Sequence, residues 1–229
     1  FLDDVIRRST DEGFPFSMDH VLLIASKTTA ALAYSYSKGI TNGFLVPSSV
    51  HISFEGDVKL YDSLSAPHTA GLVKANPELI SHYADYVHPD IFNGVKGGEI
   101  YDVFSIGAII FKLLTGKSFM EGGEVPDVAQ KLEHAVLGSS SFGDEPIPED
   151  IREILQKALD INGGYKTVGE FNEVLENLIF SGDYSPTTFN LAFFMHSLYR
   201  EESEQSAKHL DLEKTMTDAR RIADEVRNR

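Results

Sequence analysis

The chain has no cysteine and no tryptophan in its 229 residues. Without cysteine there is no disulfide framework, no thiol nucleophile and no cysteine-based zinc site, and the redox compartment is left open. Basic charge is scarce: 20 Lys and Arg stand against 35 Asp and Glu, a net charge of −15. Residues 196–229 hold eight acids and seven bases, so the acid excess belongs to residues 1–195. Such a surface repels phosphate backbones, which argues against a nucleic-acid partner; it suits a basic protein partner or plain solubility. No signal peptide is visible, and no apolar stretch reaches the ~20 residues that span a bilayer. Walker and Rossmann glycine patterns are missing. The run Gly138-Ser139-Ser140-Ser141-Phe142-Gly143 fails as a nucleophile elbow because Phe142 stands where the second glycine belongs, and it reads as a loop. The eight histidines are scattered without a His-x-x-x-His pair, which gives no metal-binding pattern.

What is present is a folded pattern. Hydrophobic residues make up 42% of the chain, enough for a sizeable core in one or two domains. Residues 1–8 and 17–38 read as helices, the second with Ala25, Thr29, Leu32 and Tyr36 on one face and Gly39 as its stop. Residues 50–54 and 58–61, joined at Glu55-Gly56-Asp57, read as a β-hairpin. The stretch from Tyr101 to Phe119 leaves almost no polar face and so predicts a helix buried on all sides. Residues 148–160 and 167–180 read as two amphipathic helices.

One arrangement carries a resemblance. Asn42-Gly43-Phe44-Leu45-Val46-Pro47-Ser48-Ser49 leads through the hairpin to Asp62-Ser63-Leu64. This resembles the catalytic region of a protein kinase, in which a His-Arg-Asp-Leu-Lys-Pro-x-Asn loop precedes Asp-Phe-Gly. Aligned on Pro47, Asn42 stands at the histidine, Gly43 at the arginine and Phe44 at the catalytic aspartate. Val46 replaces the loop lysine and Ser49 the metal-binding asparagine, while Asp62 keeps the metal-binding aspartate. Phenylalanine cannot orient a hydroxyl nucleophile, valine cannot neutralise phosphate charge, and a lone aspartate is a poor magnesium site. The alternative reading of Asp62 is a turn aspartate bonded to backbone. Neither a glycine-rich phosphate loop nor a strand lysine occurs in these residues.

Other segments extend the resemblance over residues 1–180, which would correspond to a kinase large lobe. Tyr86-Val87-His88-Pro89-Asp90 resembles the Tyr-x-Ala-Pro-Glu segment. Tyr101-Asp102-Val103-Phe104-Ser105-Ile106-Gly107 resembles the Asp-Val-Tyr-Ser-Leu-Gly helix. The arginine that pairs with the glutamate of Ala-Pro-Glu falls at Gly164, so Asp90 must be solvated or bonded elsewhere, with Lys166 as a substitute partner. Residues 63–87 take the place of an activation loop and are expected to be exposed and variable, with Ser65, Thr69, Ser81 and Tyr83 as hydroxyls open to phosphorylation.

Past residue 180, Ser185-Pro186 reads as an N-cap and first helical residue for a helix over 187–200. With Phe189, Leu191, Phe193, Phe194, Met195 and Leu198 it is too apolar for water and should dock on the lobe or on another chain. Leu212, Met216, Ala219, Ala223 and Val226 form a short heptad seam, suited to a dimer helix or to packing on the protein.

The expectation is a mainly α protein: a kinase C-lobe-like helical domain with a small β-hairpin (1–180), no small lobe, and a helical extension (181–229). Its implied function is a non-catalytic, pseudokinase-type interaction module of bacterial type, cytoplasmic or the cytoplasmic part of an envelope-associated protein, and not an enzyme. The alternative is the large-lobe fragment of a divergent Ser/Thr kinase that binds ATP only with its small lobe. No cofactor or metal is expected. Protein partners or a homodimer would use Phe189, Phe193, Leu212, Met216, Ala219 and Ala223.

Overall fold

The structure is a computed structural model, and it describes residues 1–61, 65–139, 144–208 and 215–216. Among these the chain is mainly helical, with one two-stranded sheet.

Helix α1 (Leu2–Asp11) buries Leu2, Val5, Ile6 and Ser9, an i, i+3, i+4, i+7 stripe. Helix α2 (Met18–Ser37) starts at a reciprocal cap: the Ser17 hydroxyl accepts from His20 N while His20 Nδ1 accepts from Ser17 N. It stops at Gly39, whose φ of +75° is the left-handed turn that favours glycine. Strands β1 (Val50–Ile52) and β2 (Val58–Leu60) pair antiparallel, with Val50 opposite Leu60 and Ile52 opposite Val58.

Residues 63–87 were expected to be an exposed loop. The described part instead forms α3 (Ala66–Lys74) and α4 (Pro77–Tyr83), followed by α5 (Pro89–Phe92). Proline in the first turn of each, together with the Asn76 side chain accepting from Glu78 N, starts helices where an open loop was expected. Ala66, Val73 and Val87 are buried, which is what holds the segment down.

Helix α6 (Glu99–Thr115) is the centre. Every residue from Tyr101 to Thr115 except Lys112 is buried, and Gly116 closes the helix at φ +71°. It ends at Thr115, short of the expected Phe119, because the glycine turns the chain. Helices α7 (Val128–Glu133), α8 (Glu149–Ala158) and α9 (Val168–Phe180) follow. Gly107 lets α6 approach α8: a Cβ there would lie 3.1 Å from both Ala158 and Leu159. Glu99 at the start of α6 accepts from Val168 N and so caps α9 from a distance of 69 residues. Thr29 on α2 donates to Asn172 on α9 at 2.7 Å.

Helix α10 (Thr188–Leu198) is capped by Thr187, which accepts from Asn190 N, and not by Ser185. The Ser185 amide is taken by Asp19. The helix lays Leu191, Phe194, Met195 and Leu198 on the lobe. Phe194 meets Phe14, Phe16 and His20, and the Gly56 turn of the hairpin fits under Thr188, where a Cβ would come within 2.1 Å of its carbonyl oxygen. Farther on, Arg8 pairs with Glu202 and sits over the Tyr199 ring at 4.4 Å. No helix among the described residues is long and apolar enough to cross a membrane.

Candidate functional site

The loop from Asn42 to Ser49 hangs from the central helix. Asp102 has no solvent exposure, and its Oδ2 accepts from the Tyr36 hydroxyl at 2.6 Å and from Gly43 N at 2.9 Å. Burial pushes its pKa up to about 6, while the bonds from Tyr36 and the Gly43 and Leu45 amides pull the other way. Gly43 adopts φ +70° and meets Gly97 backbone to backbone: a Cβ on Gly97 would lie 2.2 Å from Gly43 O. Glycine is therefore required on both sides of this contact. The position aligned with an arginine has no room for a side chain.

Phe44 is 2% exposed and belongs to a second apolar cluster with Val46, Ala66, Val73, Val87, Ile91 and Tyr101. Tyr83 of α4 meets its ring edge-on, 5.5 Å between centroids. Helices α3 and α4 thus lie over the residue that stands at the catalytic aspartate, and the contact is apolar. Pro47–Ser49 is a single 3₁₀ turn; Ser49 is half-buried, its carbonyl accepting from Tyr61 N. Asn42 is buried, and neither its Oδ1 nor its Nδ2 has a partner among the described residues. Asp62 lies outside the described residues, as do Leu212, Ala219 and Ala223 and most of the 138–143 run. Met216 is described and is 50% exposed.

Asp90 is handled locally. The Tyr101 hydroxyl donates to it at 3.2 Å and His88 Nδ1 lies 3.5 Å away. Lys166, offered above as a substitute partner, instead donates to the Asn162 carbonyl at 2.6 Å. The missing arginine also has a structural reason: a Cβ on Gly164 would fall 1.8 Å from Lys157 O, so the turn is closed to any side chain. Phe189 and Phe193, spaced one turn apart, are 77% and 68% exposed, on the side of α10 away from the lobe.

The chain is 23% identical over 201 residues to the probable serine/threonine-protein kinase PknB of Lactococcus lactis, spanning 82% of this chain and 32% of that one. It is 22% identical to the serine/threonine-protein kinase PrkC of Bacillus subtilis over 63% of this chain and 22% of the relative. With PknL of Mycobacterium tuberculosis, another serine/threonine-protein kinase, the figures are 26% identity, 63% and 36%. The chain is protein kinase-like. No protein-family profile matches it. This kinase-like chain spans about a fifth to a third of the length of these curated relatives.

These matches correct the expectation that the chain is not an enzyme. Its relatives are named as serine/threonine protein kinases, so the similarity points to a family of enzymes. That expectation rests on a few loop side chains, whereas the similarity spans up to 82% of the chain. Sequence reasoning also missed two features of the kinase-like site. One is the helical cover of α3 and α4, signalled by the two proline-started turns. The other is the Gly43–Gly97 contact, signalled by the unexplained Gly97-Gly98 pair before α6.

Proposed function

We propose that this chain is the large-lobe part of a serine/threonine kinase-type signalling protein, and that its own contribution is to engage a protein partner through the outer face of α10. The observation carrying this reading is the exposure of Phe189 and Phe193 on a helix whose other face is docked and buried. Two large aromatics one turn apart are the kind of residue that anchors protein interfaces. The buried apolar setting of Phe44 supports it: the catalytic-loop position contributes to packing the cover formed by α3 and α4. The test is quantitative affinity capture with the wild-type chain and with a Phe189→Ser/Phe193→Ser variant. A specific protein lost from the variant, with its melting temperature unchanged, supports the reading. Identical captured sets overturn it.

A second reading is favoured by the names of the relatives and the fraction of their length that is covered: ATP binding once residues beyond these 229 complete the nucleotide site. The anchoring of the loop by Asp102 keeps that scaffold in place. Thermal stabilisation of the whole protein by ATP and magnesium is the expected result, and no shift at millimolar nucleotide counts against it.

A further inference from the structure

A cavity of about 240 Å³ opens where the second half of α1, the turn into α2 and the end of α6 meet. Ile6, Phe16 and Leu113 wall it, and all three are buried. Gly13 and Gly116 also line it, with φ of +64° and +71°, and a Cβ on either would meet no atom within 4 Å. Open space therefore reaches the backbone.

The polar groups of the wall are occupied. Ser9 Oγ donates to Phe14 O at 2.6 Å, Thr10 Oγ1 to Ile6 O at 2.9 Å and Thr115 Oγ1 to Phe111 O at 2.7 Å. The glycine amides are used as well: Gly13 N donates to Thr10 O, Gly116 N to Lys112 O and Gly138 N to Leu114 O. The bonds from Thr115, Gly116 and Gly138 also take up carbonyls at the end of α6 that would otherwise repel an anion.

Lys112 remains. It is the only charged residue lining the cavity and the only one of residues 101–115 that is not buried. Its ammonium has no hydrogen bond or ion pair among the described residues. The helix dipole accounts for a lysine in this last turn, but not for the apolar space left open beside it.

We propose that this cavity binds a small amphipathic carboxylate, its apolar body between Ile6, Phe16 and Leu113 and its carboxylate on Lys112. At ~30 Å³ per water-sized unit the volume holds roughly eight such units, which fits a tail of about seven carbons and not a drug-sized molecule. A cationic ligand would face Lys112, and a polar one would find the hydroxyl and glycine donors of the wall already bonded. Lys112 also borders a second groove, which carries Asp3, Asp4 and Asp11. Asp4 is paired with Arg7, and Lys112 pairs with none of these acids, so its charge is open to a ligand. The cavity shares no residue with the outer face of α10, and the two readings stand or fall separately.

The test follows amide NMR spectra of the chain at pH 7 during titration with octanoate, octanol and acetate. Octanoate should give saturable shifts at residues 6–16 and 112–116 and bind severalfold more tightly than octanol, while acetate gives none. Lys112→Met keeps the apolar bulk of the side chain and removes its charge; it should weaken octanoate severalfold and leave octanol unchanged. Equal binding of octanoate and octanol overturns the proposal, as does acetate reproducing the shifts or the absence of saturable shifts at those residues. A Lys112→Met protein that binds octanoate as wild type does also refutes it. Should the variant fold poorly, the comparison of the probes on wild type decides alone.

Discussion

Placing a carboxylate at the catalytic-loop position, Phe44→Asp, should unseat the cover and destabilise the lobe. Phe44 is 2% exposed and packs on Val46, Val73, Val87, Ile91 and Tyr101, with Tyr83 edge-on. Truncating a phenylalanine so buried costs about 3–5 kcal/mol from lost transfer energy and the cavity left behind. The carboxylate adds a desolvation penalty of a few kcal/mol, because the cluster is apolar apart from its tyrosine hydroxyls and that of Tyr101 is already bonded to Asp90. The α3–α4 segment has a route of escape, since undocking would let water reach the new charge, so the total should stay near the truncation cost. For a chain of this size that corresponds to a fall in melting temperature of roughly 6–20 °C. Circular dichroism melts at pH 7 measure it, and hydrogen exchange over residues 66–83 shows whether the loss is concentrated in the cover. The deficit should shrink at acid pH, where the buried carboxyl takes up a proton. Phe44→Leu is the control, keeping most of the volume and costing under about 1.5 kcal/mol. A Phe44→Asp melt within 2 °C of wild type, or a loss no larger than that of Phe44→Leu, would refute the packing argument.

Two further perturbations test the scaffold. Asp102→Asn should alter the pH dependence of stability. The folded pKa of about 6 lies above the ordinary aspartate value of 3.8, so wild type loses stability as pH rises between them, by about 3 kcal/mol at 1.36 kcal/mol per unit. Urea titrations at pH 4 and 7 should show that slope in wild type and not in the variant, and parallel slopes would contradict the assignment. Gly164→Ala should lower the urea midpoint sharply, because its Cβ would fall 1.8 Å from Lys157 O; an unchanged midpoint would mean that the turn is not closed.

Much of the scaffold was legible because it is written in local patterns. The apolar face of residues 101–114 announced a buried helix and Gly39 marked the stop of α2, whereas the stop of α6 at Gly116 was not read from the sequence. The hairpin followed from its alternation and the Gly56 turn. The substitutions at Asn42, Phe44, Val46 and Ser49 could be read by alignment on Pro47, but the surroundings of those residues could not. Phe44 as a replaced aspartate is a statement about sequence. Phe44 as the floor of a cluster formed with residues 66, 73, 87, 91 and 101 depends on contacts between distant parts of the chain. The start of α10 was misplaced for a similar reason, because Asp19 captures the Ser185 amide and leaves Thr187 to cap.

By itself, then, the sequence determined α1, α2, α6, α8 and α9, the hairpin, the excess of acid and the differences from the kinase loop pattern when aligned on Pro47, all properties of a residue and its near neighbours. Only the tertiary structure decided what fills the space those residues left. Gly43 lies against the Gly97 backbone, and the segment of α3 and α4 lies on Phe44. His20 bridges two helices separated by 170 positions. Steric exclusion and the pairing of buried polar atoms act between whichever groups the fold brings within a few ångströms, and periodicity along the chain carries no record of those distances.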